Sequence, residues 1–223
     1  MPLNKVTENV WIGDAPSARD ERLLEEEGIS AALNLTMEPE NHPFAGEGGE
    51  DGGEENGTMY LALPQKDEMD TTIALYLEEG VPFIASAVEA GHRVVVFCQA
   101  GISRSATTVI AYLMAHVEGM ERVADSFRHL RSARSIVTPN VSFMAQLLEH
   151  EAERGVDPPS LLLMDYVIDE IAVHMVPGGP ERGPQVRALL EAYVASTPSF
   201  SFTSSDHVNL AVSHVIDALF QSP

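Results

Sequence analysis

Cysteine occurs once in this chain, at Cys98, so no disulfide can form within it. A lone thiol that is to react must stay reduced, which points to the cytoplasm, with the nucleus as the second compartment. Basic residues are also scarce. Only 13 Lys and Arg stand against 34 Asp and Glu, a formal charge of −21. Such a field repels phosphate backbones and anionic lipid, so neither nucleic acid nor a membrane is expected as a partner. No apolar run approaches the roughly 18 residues of a membrane span. The opening MPLNKVTENVW has no apolar signal core. The eight histidines, at 42, 92, 116, 129, 150, 174, 207 and 214, are scattered without metal-ligand spacing and read as ordinary surface or partly buried positions.

What remains is a chain of 223 residues, 44% hydrophobic, enough for one well-buried domain of about 150 residues with a piece appended. Val6 to Gly13 reads as a strand pair around Trp11. A charged helix follows from Ser17 to Glu27, ended by Gly28, and then a strand from Ile29 to Leu35. Ala45 to Gly57 holds five acidic residues and six glycines, with nothing apolar after Ala45, and reads as a flexible acidic insertion. Met59 to Leu63 is the next strand. Thr71 to Ala90 is broadly helical, but Gly80-Val81-Pro82 should kink or split it.

Val94-Val95-Val96-Phe97-Cys98 reads as a buried strand, and helices follow at Arg104–Val117, Glu121–Ser132 and Asn140–Arg154. Strands alternating with helices imply an α/β fold, a central mixed sheet flanked by helices. The tail has amphipathic stripes over Leu161–Val176, Pro184–Ala195 and Asp206–Phe220. The expected division is a domain over 1–155 and an α-helical C-terminal extension over 156–223. Such stripes must be buried, either on the preceding domain or against a partner.

The segment from Val94 to Ala106, VVVFCQAGISRSA, carries the chemistry. A strand, a tight loop holding Gly101 and a helix N-terminus together aim backbone N–H groups at one point, which suits a phosphate-sized anion. The amides of Gln99, Ala100, Gly101, Ile102, Ser103 and Arg104 would form that ring. At its base, Cys98 would have its thiolate stabilised by the same amides and by the Arg104 guanidinium, which makes it a nucleophile.

This string resembles the Cys-x5-Arg-Ser motif of the cysteine-based protein tyrosine phosphatase superfamily. CQAGISRSAT followed by AYLM is similar in particular to the atypical dual-specificity phosphatases. The likeness extends from about Lys5 to Arg154, through VTENVWIGDA, LLEEEGISAALNL and TPNVSFMAQLLEHE. It implies a metal-free, cofactor-free hydrolase of phosphotyrosine, phosphoserine or phosphothreonine in phosphoproteins, working through a phosphocysteine.

The resemblance also implies roles for single residues. Cys98 is the nucleophile, Arg104 binds phosphate and the transition state, and Ser105 hydrogen-bonds the departing sulfur. Asp67 is the general acid, 31 residues before the cysteine in LPQKDEMD, with Glu68 and Asp70 as competitors on position alone. Asn140 braces the phosphate loop, and Arg134 either meets a second phosphate or is a solvated helix-end charge. One residue departs from the pattern: the family usually has histidine before the cysteine, and here it is Phe97. Phenylalanine donates no hydrogen bond, so loop carbonyls would lack a donor and the rate would suffer. The rival reading is a catalytically weak pseudophosphatase that binds phosphorylated partners, although such relatives usually lose the cysteine or arginine kept here.

Overall fold

The computed structural model describes residues 3–45, 57–156, 165, 166, 168, 179–199 and 205–221. The chain forms two compact units, Met1–Pro139 and Asn140–Pro223.

The first unit is built on five strands: β1 (Asn4–Lys5), β2 (Val10–Asp14), β3 (Ala31–Asn34), β4 (Met59–Ala62) and β5 (Val94–Cys98). Their order is β1-β2-β5-β3-β4, with β1 antiparallel to β2 and the other pairs parallel. β5 is central and wholly buried, as its run of Val94, Val95 and Val96 predicts for a strand covered on both faces. Register places Cys98 opposite Asp14, at the carboxyl end of the parallel strands. In open α/β sheets, ligands bind at that edge.

Alternation along β5 divides its side chains between two faces. Val95 and Phe97 join Trp11, Ala32 and Tyr60 in a core closed by Ala15, Ala18 and Leu24. Ala15 and Ala18 belong to α1 (Ala15–Ala18), and Leu24 to α2 (Glu21–Glu27). The sequence reads this region as one helix from Ser17. The structure has two, because the Asp20 carboxylate accepts from the N–H groups of Arg22 and Leu23 and starts a new helix there. Between Thr71 and Ala90 the expected break is present. A wide turn over Tyr76–Gly80, closed by the Val81 N–H on the Tyr76 carbonyl, runs into α3 (Val81–Glu89), with Pro82 in its first turn.

α4 (Arg104–His116) follows β5 after the loop and packs against α5 (Val123–Ala133). From Arg104 to Met114 every residue of α4 is buried. The hydroxyls of Thr107 and Thr108 are satisfied inside this apolar setting by donating to the carbonyls of Ser103 and Arg104. The acidic insertion read over Ala45–Gly57 lies, from 46 to 56, outside the described residues.

The second unit contains α6 (Val141–Glu153), α7 (Gly183–Ser196) and α8 (Ser205–Gln221). α8 packs against both α6 and α7. It buries Val208, Ala211, Val212, Val215 and Leu219, a helical stripe of the kind the sequence predicts. Asn209 Nδ2 donates to Ser142 Oγ at 3.2 Å, and the rings of Tyr193 and His214 lie 4.9 Å apart. The sequence reading places the domain boundary at 155/156, whereas compactness divides the chain after Pro139, so α6 shares a unit with the tail. The stripe read over Leu161–Val176 lies outside the described residues except at 165, 166 and 168. Among the described residues, no helix is long and apolar enough to cross a membrane.

Candidate active site

Cys98 closes β5 with its sulfur buried and 3.3 Å from Ser105 Oγ, the first full residue inside α4 after Arg104. A hydroxyl at that distance can donate to a thiolate and stabilise it. Ser105 and Arg104 are both held on the buried first turn of α4, so neither position depends on a flexible side chain alone.

The loop between them is fixed through its carbonyl groups. Gln99 O accepts from the Ala15 N–H at 3.3 Å, and Ala100 O accepts from Arg134 Nη2 at 3.1 Å. Gly101 O accepts from Arg134 Nε at 2.8 Å, and Ile102 O accepts from the Thr138 N–H at 2.9 Å. In a planar trans peptide the C=O and the following N–H point in opposite directions. Four tied carbonyls therefore turn the amides of Ala100, Gly101, Ile102 and Ser103 to the other side, as an anion cradle requires. Gly101 has φ +67°, and a Cβ there would meet the Gly13 carbonyl oxygen at 2.5 Å. Only glycine fits.

Arg104 Nη1 donates to the carbonyls of Leu35 and Gln65, both at 2.9 Å. Its Nε is buried, makes no hydrogen bond, and sits 3.7 Å from Asp67 Oδ2. An unmet buried guanidinium donor costs about 1–3 kcal/mol, and a phosphate oxygen is the acceptor that suits it. The Gln65 contact also ties the segment carrying Asp67 to the arginine.

Of the three carboxylates in that segment, Asp67 is the one brought to the site. Ser103 Oγ donates to Asp67 Oδ1 at 2.7 Å, and 31% of the Asp67 side chain is exposed. Glu68 is turned to an exposed ion pair with Lys66 at 3.3 Å, and Asp70 is exposed. Tyr76 lies fully buried nearby. Burial raises its phenol above the ordinary range against the pull of the Arg104 charge, with Asp67 and Cys98 reinforcing the rise.

Three placements were not legible from the sequence. Arg134 is neither solvated nor aimed at a second phosphate. It is 97% buried behind the loop, with Nη1 donating to Asn4 Oδ1 at 2.7 Å and Nη2 4.0 Å from Asp14 Oδ2. Burial pulls its pKa down, and the Asp14 and Cys98 charges oppose that. Asn140 caps α6, accepting from the Phe143 N–H at 2.9 Å, while the brace on Ile102 O comes from Thr138. Phe97 points away from the loop and stacks on His42 at 5.3 Å. His42 is itself buried, its Nε2 donating to Ala18 O at 2.9 Å and its Nδ1 accepting from the Phe44 N–H at 3.0 Å, so the ring is neutral. The loop carbonyls expected to lack a donor have one in Arg134.

The family model for the dual specificity phosphatase catalytic domain matches residues 10–153. Human dual specificity protein phosphatase 1 is 31% identical over 217 residues, covering 96% of this chain and 50% of that protein. The chain thus spans about half the length of the curated relatives it matches first. Among solved structures, a single-substitution variant of human DUSP28 superposes with a TM-score of 0.60 at 27% identity, covering 70% of this chain and 97% of that one. A mouse phosphatase structure complexed with zinc tungstate gives 0.59 at 30% identity, covering 68% and 87%.

Proposed function

The chain belongs to the dual specificity phosphatase family, and from that premise we propose that it is a cysteine-dependent protein phosphatase. Its substrates are phosphotyrosine, phosphoserine or phosphothreonine residues of phosphoproteins. The observation that carries the reading is the joining of three groups at one loop. Cys98 lies against Ser105, Arg104 Nε is an unmet buried donor, and Asp67 is seated on Arg104.

In the first step the Cys98 thiolate attacks phosphorus, the bond to the leaving oxygen breaks, and Asp67 passes its proton to that oxygen. Arg104 and the loop amides take up the charge on the equatorial oxygens. In the second step Asp67 accepts a proton from water, which attacks the phosphocysteine. The sulfur leaves as thiolate, stabilised by the Ser105 hydroxyl. Asn140 has a supporting role, capping the start of α6 through the Phe143 N–H. Thiolate chemistry places the protein in the cytoplasm or nucleus, where thiols stay reduced. The catalytic domain covers the family match, and the tail helices either support α6 or recruit a partner.

The test is turnover of a generic aryl phosphate by wild type and by Cys98→Ser, with phosphopeptide binding measured alongside. The reading requires turnover that chelators leave unchanged, abolished in the serine variant while binding persists. Wild-type binding with no turnover would favour the pseudophosphatase instead.

A further inference from the structure

The residues from Gln99 to Ile102 carry no side chain that could hold the loop's shape against an incoming phosphate. Gln99 and Ala100 are exposed, and the Phe97 ring is committed to the opposite face of the sheet. We infer that Arg134 is the positioning residue of the phosphate cradle, and that Asn4 on the edge strand β1 is its anchor. The inference rests on the phosphatase reading above and deepens it.

The argument is geometric. The Nε–Nη2 edge of the guanidinium grips two successive carbonyls, Gly101 O at 2.8 Å and Ala100 O at 3.1 Å. By peptide planarity those two bonds set the directions of the Gly101 and Ile102 N–H groups. The third donor, Nη1, is satisfied by Asn4 Oδ1 at 2.7 Å, and Asp14 lies 4.0 Å from Nη2. A planar fork with fixed donor directions can clamp adjacent carbonyls, whereas a lysine ammonium is one point of charge on a flexible stem. Close fit supports the same view. A Cβ on Gly101 would stand 2.8 Å from Arg134 Nη2, so the loop and the guanidinium are in full contact with no room between them.

Arg134 is buried behind the carbonyl side of the loop, on the side away from the amides. Its effect on catalysis therefore runs through loop shape, with no direct contact to substrate. Asn4 extends that dependence to β1, a two-residue edge strand paired with β2.

The experiment measures inorganic phosphate protection of Cys98 against alkylation by iodoacetate, together with kcat and KM for an aryl phosphate. Arg134→Gln and Arg134→Lys should each weaken phosphate protection about ten- to hundredfold, the loss of one or two amide bonds to an anion. KM should rise and kcat should fall. The lysine variant should not rescue, since it keeps the charge but not the fork. Asn4→Ala, an edge change that leaves Arg134 in place, should give a loss of a few-fold in the same direction. That variant carries the test if the Arg134 variants do not fold. Unchanged phosphate affinity in Asn4→Ala or in a folded Arg134→Lys protein would overturn the inference. So would a loss confined to substrates with a second phosphate or acidic neighbours while inorganic phosphate still protects. A wild-type protein whose Cys98 phosphate does not protect would overturn the phosphatase reading itself, a result distinct from any variant effect.

Discussion

Replacing Gly101 with alanine should damage stability and activity together, and the size of each loss follows from the geometry of the loop. The residue has φ +67°, where alanine costs about 1–2 kcal/mol. The new methyl would lie 2.5 Å from Gly13 O, 2.7 Å from Gly13 C and 2.8 Å from Arg134 Nη2, all inside the 3.0 Å that real contacts respect. Relief requires the loop to move by about 1 Å relative to β2, which adds about 1–3 kcal/mol of overpacking strain. The expected total is about 2–5 kcal/mol, a fall in Tm of about 5–20 °C for a chain of this size. A misplacement of about 1 Å in the cradle should lower kcat/KM for an aryl phosphate by about 10²-fold. Gly91→Ala is the control. Gly91 has φ +88° but nothing within 4 Å of a Cβ, so only the backbone strain remains: about 1 kcal/mol, a few degrees of Tm and no loss of activity. Thermal unfolding and steady-state kinetics on the two variants separate collision from strain. If Gly101→Ala is no less stable than Gly91→Ala and keeps full activity, the tight loop geometry is wrong.

Four further outcomes are expected. Asp67→Asn should slow hydrolysis of a poor leaving group by roughly 10²-fold and of a good one far less, and equal losses would remove Asp67 from the acid role. Phe97→His should lower Tm by burying an imidazole in the core beside His42, a cost of about 1–3 kcal/mol, and should not raise kcat. Faster turnover at unchanged Tm would contradict this. Burial lowers the His42 pKa to about 4, against the Ala18 hydrogen bond, so between about pH 6.5 and 4 the unfolded chain binds the extra proton. His42's share of stability is then fully present above pH 6.5 and falls by about 3 kcal/mol as pH drops to 4, and His42→Gln should flatten the slope by that amount when urea unfolding is followed against pH. Truncation after Arg154 uncovers the side of α6 that α8 packs on and should lower Tm or cause aggregation, whereas a soluble, equally stable and fully active truncation would make the tail an independent recruitment module.

Local patterns were readable where one dominant preference acts. β5 runs from Val94 to Cys98 as its β-branched residues require, and α4 begins at Arg104 as the glycine-containing loop implies. The strand–loop–helix arrangement around Cys98 was legible for the same reason. Asp20 split a helix that charge and apolar spacing made look continuous, because a single side chain meeting two N–H groups outweighs weak helix propensity. Arg134 could not be read, since its partners at Asn4, Ala100 and Gly101 are 33 or more positions away and nothing in SARSIVTPN marks it as buried. The Ser103 hydroxyl was passed over for a similar reason: its amide belongs to the loop, but its bond to Asp67 spans 36 positions. Phe97 misled because its place in the motif draws attention to the loop. The pleat of β5 sends its ring to the other face, where His42, an ordinary histidine by spacing, is buried between aromatic rings.

The central claim is that the sulfur of Cys98 forms a bond to phosphorus during turnover. The direct measurement is rapid acid quench of the protein mixed with an aryl phosphate, followed by mass mapping of the peptide that contains Cys98. A phosphoryl group on Cys98 that forms before steady state, disappears when substrate is exhausted and persists longer in Ser105→Ala is the predicted result. Turnover with Cys98 unmodified throughout, or with the phosphoryl group on any other residue, would contradict the account.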